Sequence, residues 1–331
     1  MSVPHTNFFS NLSAEQDSFS ASAMCHKESS RQLAPIALFV YNRPEHTRRT
    51  VESLRANGQA RQSDLFVFAD GPKNESAASA VEAVRKFVRT IDGFKSVTII
   101  ERERNFGLAA SVIAGVTQLC GESGRVIAVE DDLQTSPDFL IFMNCALDRY
   151  VHDARIFSVS GFNFSFNAPK DYPYDAYCSY RSMSWGWGTW KDRWEKADWG
   201  VSGYSSFSHD KDQQRLFNRG GEDLSSILAL QMVGRIDSWS IRWDYTHFKR
   251  GALALLPVVS RVRNIGFDGS GVHCRRAGLK QPVLSTECKT EYRFPGLLEA
   301  DRFFVAEIQR LHRRSPARKI VQYLKQKIGR R

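Results

Sequence analysis

Five short, predominantly apolar runs are separated by stretches with helical apolar spacing. They are residues 36–41 (IALFVY), 64–69 (DLFVFA), 97–101 (VTIIE), 125–129 (RVIAV) and 156–160 (IFSVS). A strand without apolar–polar alternation is covered on both faces, and strands that alternate with helices pair in parallel. Between the runs, Pro44 suits the first turn of a helix to about residue 56, where Asn57-Gly58 stops it. Further helices are expected over 79–90, over 108–120, and from a Ser136-Pro137 cap to about residue 150. The pattern predicts a doubly wound α/β half, and such sheets bind ligands at the carboxyl ends of their strands. Those ends carry Asn42-Arg43, Asp70-Gly71 and Glu130-Asp131-Asp132.

The flanking composition narrows the class. No apolar run in the 331 residues approaches the ~18 needed for a membrane-spanning helix. Residues 1–33, rich in Ser, Asn, Gln and His, lack the basic start and apolar middle of a secretory signal and read as a flexible leader. A cytoplasmic location follows as the expectation, with the six isolated cysteines as reduced thiols. The net charge is +10, but residues 308–331 hold nine Lys/Arg and no acid, so the rest carries about +1. One terminal block is not the spread basic face of a nucleic-acid binder, so no nucleic-acid partner is expected. In that block Ile320, Val321, Leu324 and Ile328 share one helical face among basic residues. Such a helix can lie on an anionic bilayer at the inner membrane face, or pack as a solvated terminal helix.

After residue 165 the character changes. Nine aromatic residues fall in 172–199, and five of the seven tryptophans in 185–199. Residues 210–250 read as helical, 252–259 as a strand and 261–273 as a Gly-rich loop, with helices over 296–312 and 317–328.

Three carboxylates at a strand exit repel one another unless something positive joins them. A divalent Mg²⁺ or Mn²⁺ bridging to a diphosphate answers this, because such ions take one or two protein carboxylates and fill the shell with phosphate oxygens and water. The plain alternative is a solvated acidic turn. Asp70 can accept the imide N–H of uracil or a ribose hydroxyl, or it can simply close an Asp-Gly turn. Arg43 and Arg48 sit where a strand becomes a helix and can neutralise a nucleotide phosphate. Trp185 and Trp187, flanking Gly186, offer a wall for a sugar, whereas Trp190 and Trp194, four apart, suit the core side of a helix. Neither the dinucleotide fingerprint nor the P-loop pattern occurs.

Taken in order, YNRPEHTRRTVESL, FVFADGP, NFGLAASVIAGV, VIAVEDDLQTSPDFL and SWGWGTWKDRW resemble GT-A-fold glycosyltransferases. The match is to bacterial family-2-like sugar transferases related to the N-acetylglucosaminyltransferase I group, over about residues 35–275. The resemblance implies an α/β GT-A domain over 34–295, with a nucleotide-binding half (34–165) and an acceptor half (166–295), followed by a helical basic tail (296–331). It implies a nucleotide-sugar donor, with uridine favoured through Asp70, a divalent metal, and inverting transfer to a glycan or lipid-linked acceptor. By position, Asp132 becomes the metal ligand, with Glu130 and Asp131 facing ribose and sugar. Asp70 becomes the base-recognition acid, with Arg43 and Gly107 also in the donor site. The segment WSIRWD supplies Asp244 as general base, with Asp237 in reserve. His273 becomes an additional metal or diphosphate ligand. Two other classes share parts of this pattern: a sugar-1-phosphate nucleotidyltransferase, and a catalytically silent nucleotide-sugar or membrane-surface binding module.

Overall fold

The computed structural model describes residues 32–268 and 281–313. The first half alternates as read: β1 (Ile36–Val40), α1 (Pro44–Arg55), β2 (Asp64–Ala69), α2 (Glu75–Val88), β3 (Ser96–Glu101), α3 (Leu108–Ser123) and β4 (Arg125–Glu130). A short β5 (Leu133–Thr135), α4 (Phe139–Arg149) and β6 (Ile156–Ser160) follow. The second half holds β7 (Ala176–Ser179), β8 (Trp187–Trp190), α5 (Lys191–Trp194), α6 (Tyr204–His209), α7 (Lys211–Phe217), α8 (Leu224–Met232), α9 (Trp239–Lys249), β9 (Leu253–Pro257), β10 (Val262–Asn264) and α10 (Arg302–Leu311).

One eight-stranded sheet, in the order β3-β2-β1-β4-β8-β6-β9-β7, joins the strands of both halves. Strands β3, β2, β1 and β4 are parallel neighbours. β8 is antiparallel to both β4 and β6, β9 runs parallel to β6, and β7 closes the edge antiparallel to β9. This is an α/β fold with a mostly parallel central sheet of the GT-A kind.

The pleat explains the unbroken apolar runs. Successive side chains point to opposite faces, so Ile36, Leu38 and Val40 enter one core with Phe139, Phe142 and Leu147 of α4. Ala37 and Phe39 enter the other with Val112, Val116 and Leu119 of α3 and Trp239 and Trp243 of α9. Both faces are dry, so neither can carry polar alternation.

Three local expectations change. β5 and β10, which pair with each other as a separate two-stranded sheet, lie in stretches read as a turn and a loop. Trp190 ends β8 and only Lys191–Trp194 is helical, so Trp190 and Trp194 do not share a helix, although both are buried as expected. Cys120, Cys178 and Cys288 are free thiols, but Cys145 is disulfide-bonded, which corrects the reading of all six as reduced. Residues 1–31, most of the expected leader, and 314–331, most of the basic tail with its expected second helix, lie outside the described residues. Among the described residues no helix is long and apolar enough to cross a membrane.

α10 is held against the β7 edge by Phe304, fully buried and stacked on Tyr177 with ring centroids 3.7 Å apart. Its neighbour Phe303 is 38 % exposed. Phe304→Ala should therefore lower unfolding stability by about 3–5 kcal/mol in urea titrations, and Phe303→Ala by less than about 1 kcal/mol.

Candidate active site

The carboxyl ends of β1 and β4 lie side by side, because Phe39 pairs with Glu130. This brings the Asn42-Arg43 exit of β1 onto the acidic exit of β4. Arg43 caps the start of α1, and its Nη2 donates to Asp131 Oδ1 at 2.6 Å and to Asp132 Oδ2 at 2.9 Å. The second oxygen of Asp131 accepts from the Tyr41 amide at 3.3 Å, and Thr50 Oγ1 donates to the Asp131 carbonyl. Asp131 is thus turned inward, onto the β1–α1 junction. The Trp239 side chain at the start of α9 lies beside Glu130 and favours its charged form. Burial, then the two neighbouring aspartates, push Glu130 up to about 8. Burial by itself would lower the Arg43 guanidinium, yet Asp131 and Asp132 hold it above its ordinary value. Arg48, by contrast, faces Glu45 and the Phe87 ring, away from the acidic centre.

The strand pair β5–β10 returns the chain to this centre. The Ile265 amide donates to the Asp132 carbonyl at 2.8 Å. Gly266 then lies so close that a Cβ there would collide with Asp132 Oδ2 and come within 3.0 Å of Arg43 Nη1. Only glycine allows that approach. His46 Nε2, in the first turn of α1, lies 3.1 Å from Asp268 Oδ2, which brings the same loop close to α1.

Asp70 has a different task from the one read in the sequence. Its carboxylate accepts from the amides of Gly71, Phe106 and Gly107 and from Asn105 Nδ2, all at 2.8–3.1 Å. A carboxylate offers about four lone-pair directions, and four donors occupy them. Asp70 therefore shapes the 105–107 loop and has no acceptor left for a nucleobase. Gly107, at φ +76°, makes the left-handed turn that starts α3 and brings its amide to Asp70.

The two tryptophans flanking Gly186 separate. Trp185 is partly buried, edge-on to Phe162 at 4.5 Å and to Phe267 at 5.7 Å, beside the Gly266 loop. Trp187 is 2 % exposed and packed among Trp194, Trp239 and Trp243. The expectation of a sugar-facing Trp187 is corrected: it is core, and it holds α9 against the sheet.

Along α9 the two candidate bases also differ. Asp244 is buried, and one oxygen accepts from both the amide and the hydroxyl of Ser182 at 2.8 Å. Burial pushes it up to about 6 against the opposing pull of Arg181 and Ser182. Asp237 precedes α9, two residues from the Trp239 that meets Glu130, and its side chain is 68 % exposed and paired with Arg242 at 3.1 Å. Sequence reasoning missed Trp239, Ser182 and Gly266. The first was legible only as part of the WSIRWD run, and nothing local marked the other two.

The residues present fit a divalent ion in a restricted sense. Among the described residues no group of three or more His, Cys, Asp and Glu side chains is arranged to hold a metal. His273 lies outside the described residues. Asp132 Oδ1, however, is buried without a hydrogen-bond partner among the described residues, and so is Arg43 Nη1 of the same ion pair. One open carboxylate oxygen suffices for Mg²⁺ or Mn²⁺ when phosphate and water complete the shell.

The raised Asp244 gives a pH test. Its folded value of about 6 lies above the unfolded ~3.9, so its contribution is fully present below pH ~4 and is lost as pH rises through about 6. Relative to Asp244→Asn, the wild-type melting temperature should fall between pH ~4 and ~7 and then run level.

Residues 36–183 match the family model described as Glycosyl transferase family 2. No curated protein sequence matches the chain. Among solved structures, the chain is similar to TarS of S. aureus, at 13 % identity and a TM-score of 0.30 over 42 % of this chain and 23 % of TarS. Against TarS residues 1–349 it shows 12 % identity and 0.34 over 48 % and 47 %, so it spans under half of either. It is also similar to the mannosyltransferase PcManGT from Pyrobaculum calidifontis, solved with GDP-Man and Mn²⁺, at 11 % identity and 0.38 over 68 % and 72 %. The matched segment, which spans the parallel half of the sheet and its acidic exit at the β4 end, is thus similar to the glycosyltransferases of family 2.

Proposed function

We propose that this chain moves a sugar from a nucleoside diphosphate sugar to an acceptor hydroxyl with inversion at the anomeric carbon, in glycan or glycolipid synthesis, as in the N-acetylglucosaminyltransferase I group. The carrying observation is the Arg43–Asp131–Asp132 cluster at the carboxyl edge of the sheet, with one carboxylate oxygen and one guanidinium nitrogen left without partners among the described residues. Asp132 would hold Mn²⁺ or Mg²⁺, and Arg43 Nη1 would meet a diphosphate oxygen. The ion, when bound, stabilises negative charge on the leaving diphosphate. Trp185 would bound the sugar, and the 105–107 loop shaped by Asp70 would bound the nucleoside.

Inverting attack requires one carboxylate to take the acceptor proton as the new bond forms. Asp237 suits this better than Asp244. Its side chain is exposed, whereas Asp244 is buried and has one oxygen held by Ser182. The uridine expectation rested on an Asp70 acceptor that the loop amides occupy, so the donor panel spans UDP-, GDP- and ADP-sugars.

The test is donor consumption with Mn²⁺ across that panel. Asp237→Asn should lower turnover by about 10²–10⁴-fold with nucleotide affinity unchanged, while Asp244→Asn keeps most activity. Asp132→Asn should abolish the Mn²⁺-dependent rise in melting temperature with nucleoside diphosphate. Pyrophosphate release from a sugar phosphate and NTP would overturn the assignment in favour of a nucleotidyltransferase, and tight binding with no turnover in favour of a binding module. A lipid-linked acceptor would give the basic C-terminal segment a purpose at an anionic membrane. Vesicles rich in anionic lipid should then sediment the full chain and not one ending at Arg313.

A further inference from the structure

We infer that Arg43 makes the acidic centre selective for a cation and a diphosphate arriving together, by suppressing capture of the bare cation. The inference rests on the reading of Asp132 as the metal-holding residue and adds the thermodynamic role of its partner. Arg43 spends a single nitrogen, Nη2, on both Asp131 and Asp132. That leaves, among the described residues, Nη1 buried without an acceptor and Asp132 Oδ1 buried without a donor. The Asp132 side chain is only 7 % exposed, so its open oxygen is a built feature and not a solvated one. One ion pair thus presents an unused donor and an unused acceptor, both beneath the glycine loop at Gly266.

A cation alone satisfies the acceptor but must sit near a fixed guanidinium charge, and like charges a few ångströms apart in a low-dielectric site repel strongly. A diphosphate alone satisfies the donor but faces the carboxylates Asp131 and Asp132. Together each screens the other: the diphosphate oxygens neutralise the guanidinium and complete the cation shell, and the cation offsets the carboxylates. Arg43 therefore raises the coupling between the two ligands, and by linkage each must strengthen the other by the same factor. Without Arg43 the aspartates would form a plain anionic site that takes a bare divalent ion readily and gains little from nucleotide.

The measurement is titration of the full chain with Mn²⁺ alone, followed by calorimetry or by the spectrum of free Mn²⁺. It is repeated with whichever of UDP, GDP and ADP binds. In the wild type, Mn²⁺ alone should bind weakly and nucleoside diphosphate should tighten it strongly. Arg43→Gln should tighten Mn²⁺ alone by about tenfold, weaken the nucleoside diphosphate, and reduce the coupling factor at least tenfold. Asp132→Asn should abolish Mn²⁺ binding in both backgrounds. If it does not, the metal assignment of Asp132 fails, and that outcome is distinct from failure of the inference. If Asp132→Asn behaves as expected but Arg43→Gln leaves bare Mn²⁺ binding and the coupling unchanged, the inference is overturned and the metal reading stands. Should Arg43→Gln not fold, Arg43→Lys keeps the charge with one nitrogen: bare Mn²⁺ should stay weak and coupling should fall, and full coupling there overturns the inference.

Discussion

The charge balance at the end of β4 organises the functional edge of this protein. Two aspartates and a glutamate leave a buried strand in succession, and together they would strain the sheet without a nearby cation. Arg43 supplies that charge from the neighbouring strand end. It does so because β1 and β4 are parallel partners in register. The β1 exit, the start of α1 and the β4 exit therefore form one electrostatic unit, and the β5–β10 return with Gly266 closes over it.

A second constraint sets the far wall. Strand β8 enters antiparallel between β4 and β6 and carries Trp187 into the core, where it stacks on Trp239 with ring centroids 4.7 Å apart. Large aromatic pairs of this kind fix orientation as well as burying area. Trp239 then reaches Glu130. The tryptophan cluster is in this sense what sets the start of α9 beside the acidic edge.

The parallel half was legible because its signals are local. Apolar runs, helical spacing, the Pro44 start and the Asn57-Gly58 stop each depend on residues a few positions apart, and β2 and β6 lie where those signals place them. The strands that escaped, β5, β7, β8 and β10, are three or four residues long and owe their conformation to a distant partner: β10 pairs with β5, and β7 with β9. Trp185 and Trp187 looked alike in sequence because both flank Gly186. Gly186, at φ +60°, turns the chain between them, so Trp185, before β8, meets Phe267 while Trp187, the first residue of β8, enters the core.

The linear order of residues was enough to place the carboxylates at a strand exit, to put an arginine at another, and to indicate a parallel α/β sheet, since each rests on near neighbours along the chain. Only the folded chain decided which of those polar atoms are already engaged. Asp70 is filled by the amides of the 105–107 loop, one oxygen of Asp244 is held by Ser182, Asp131 meets Arg43 and Tyr41, and Asp132 keeps one oxygen without a partner among the described residues. A lone pair is free or taken according to groups that are remote in sequence and adjacent in space, and long-range packing alone brings those groups together.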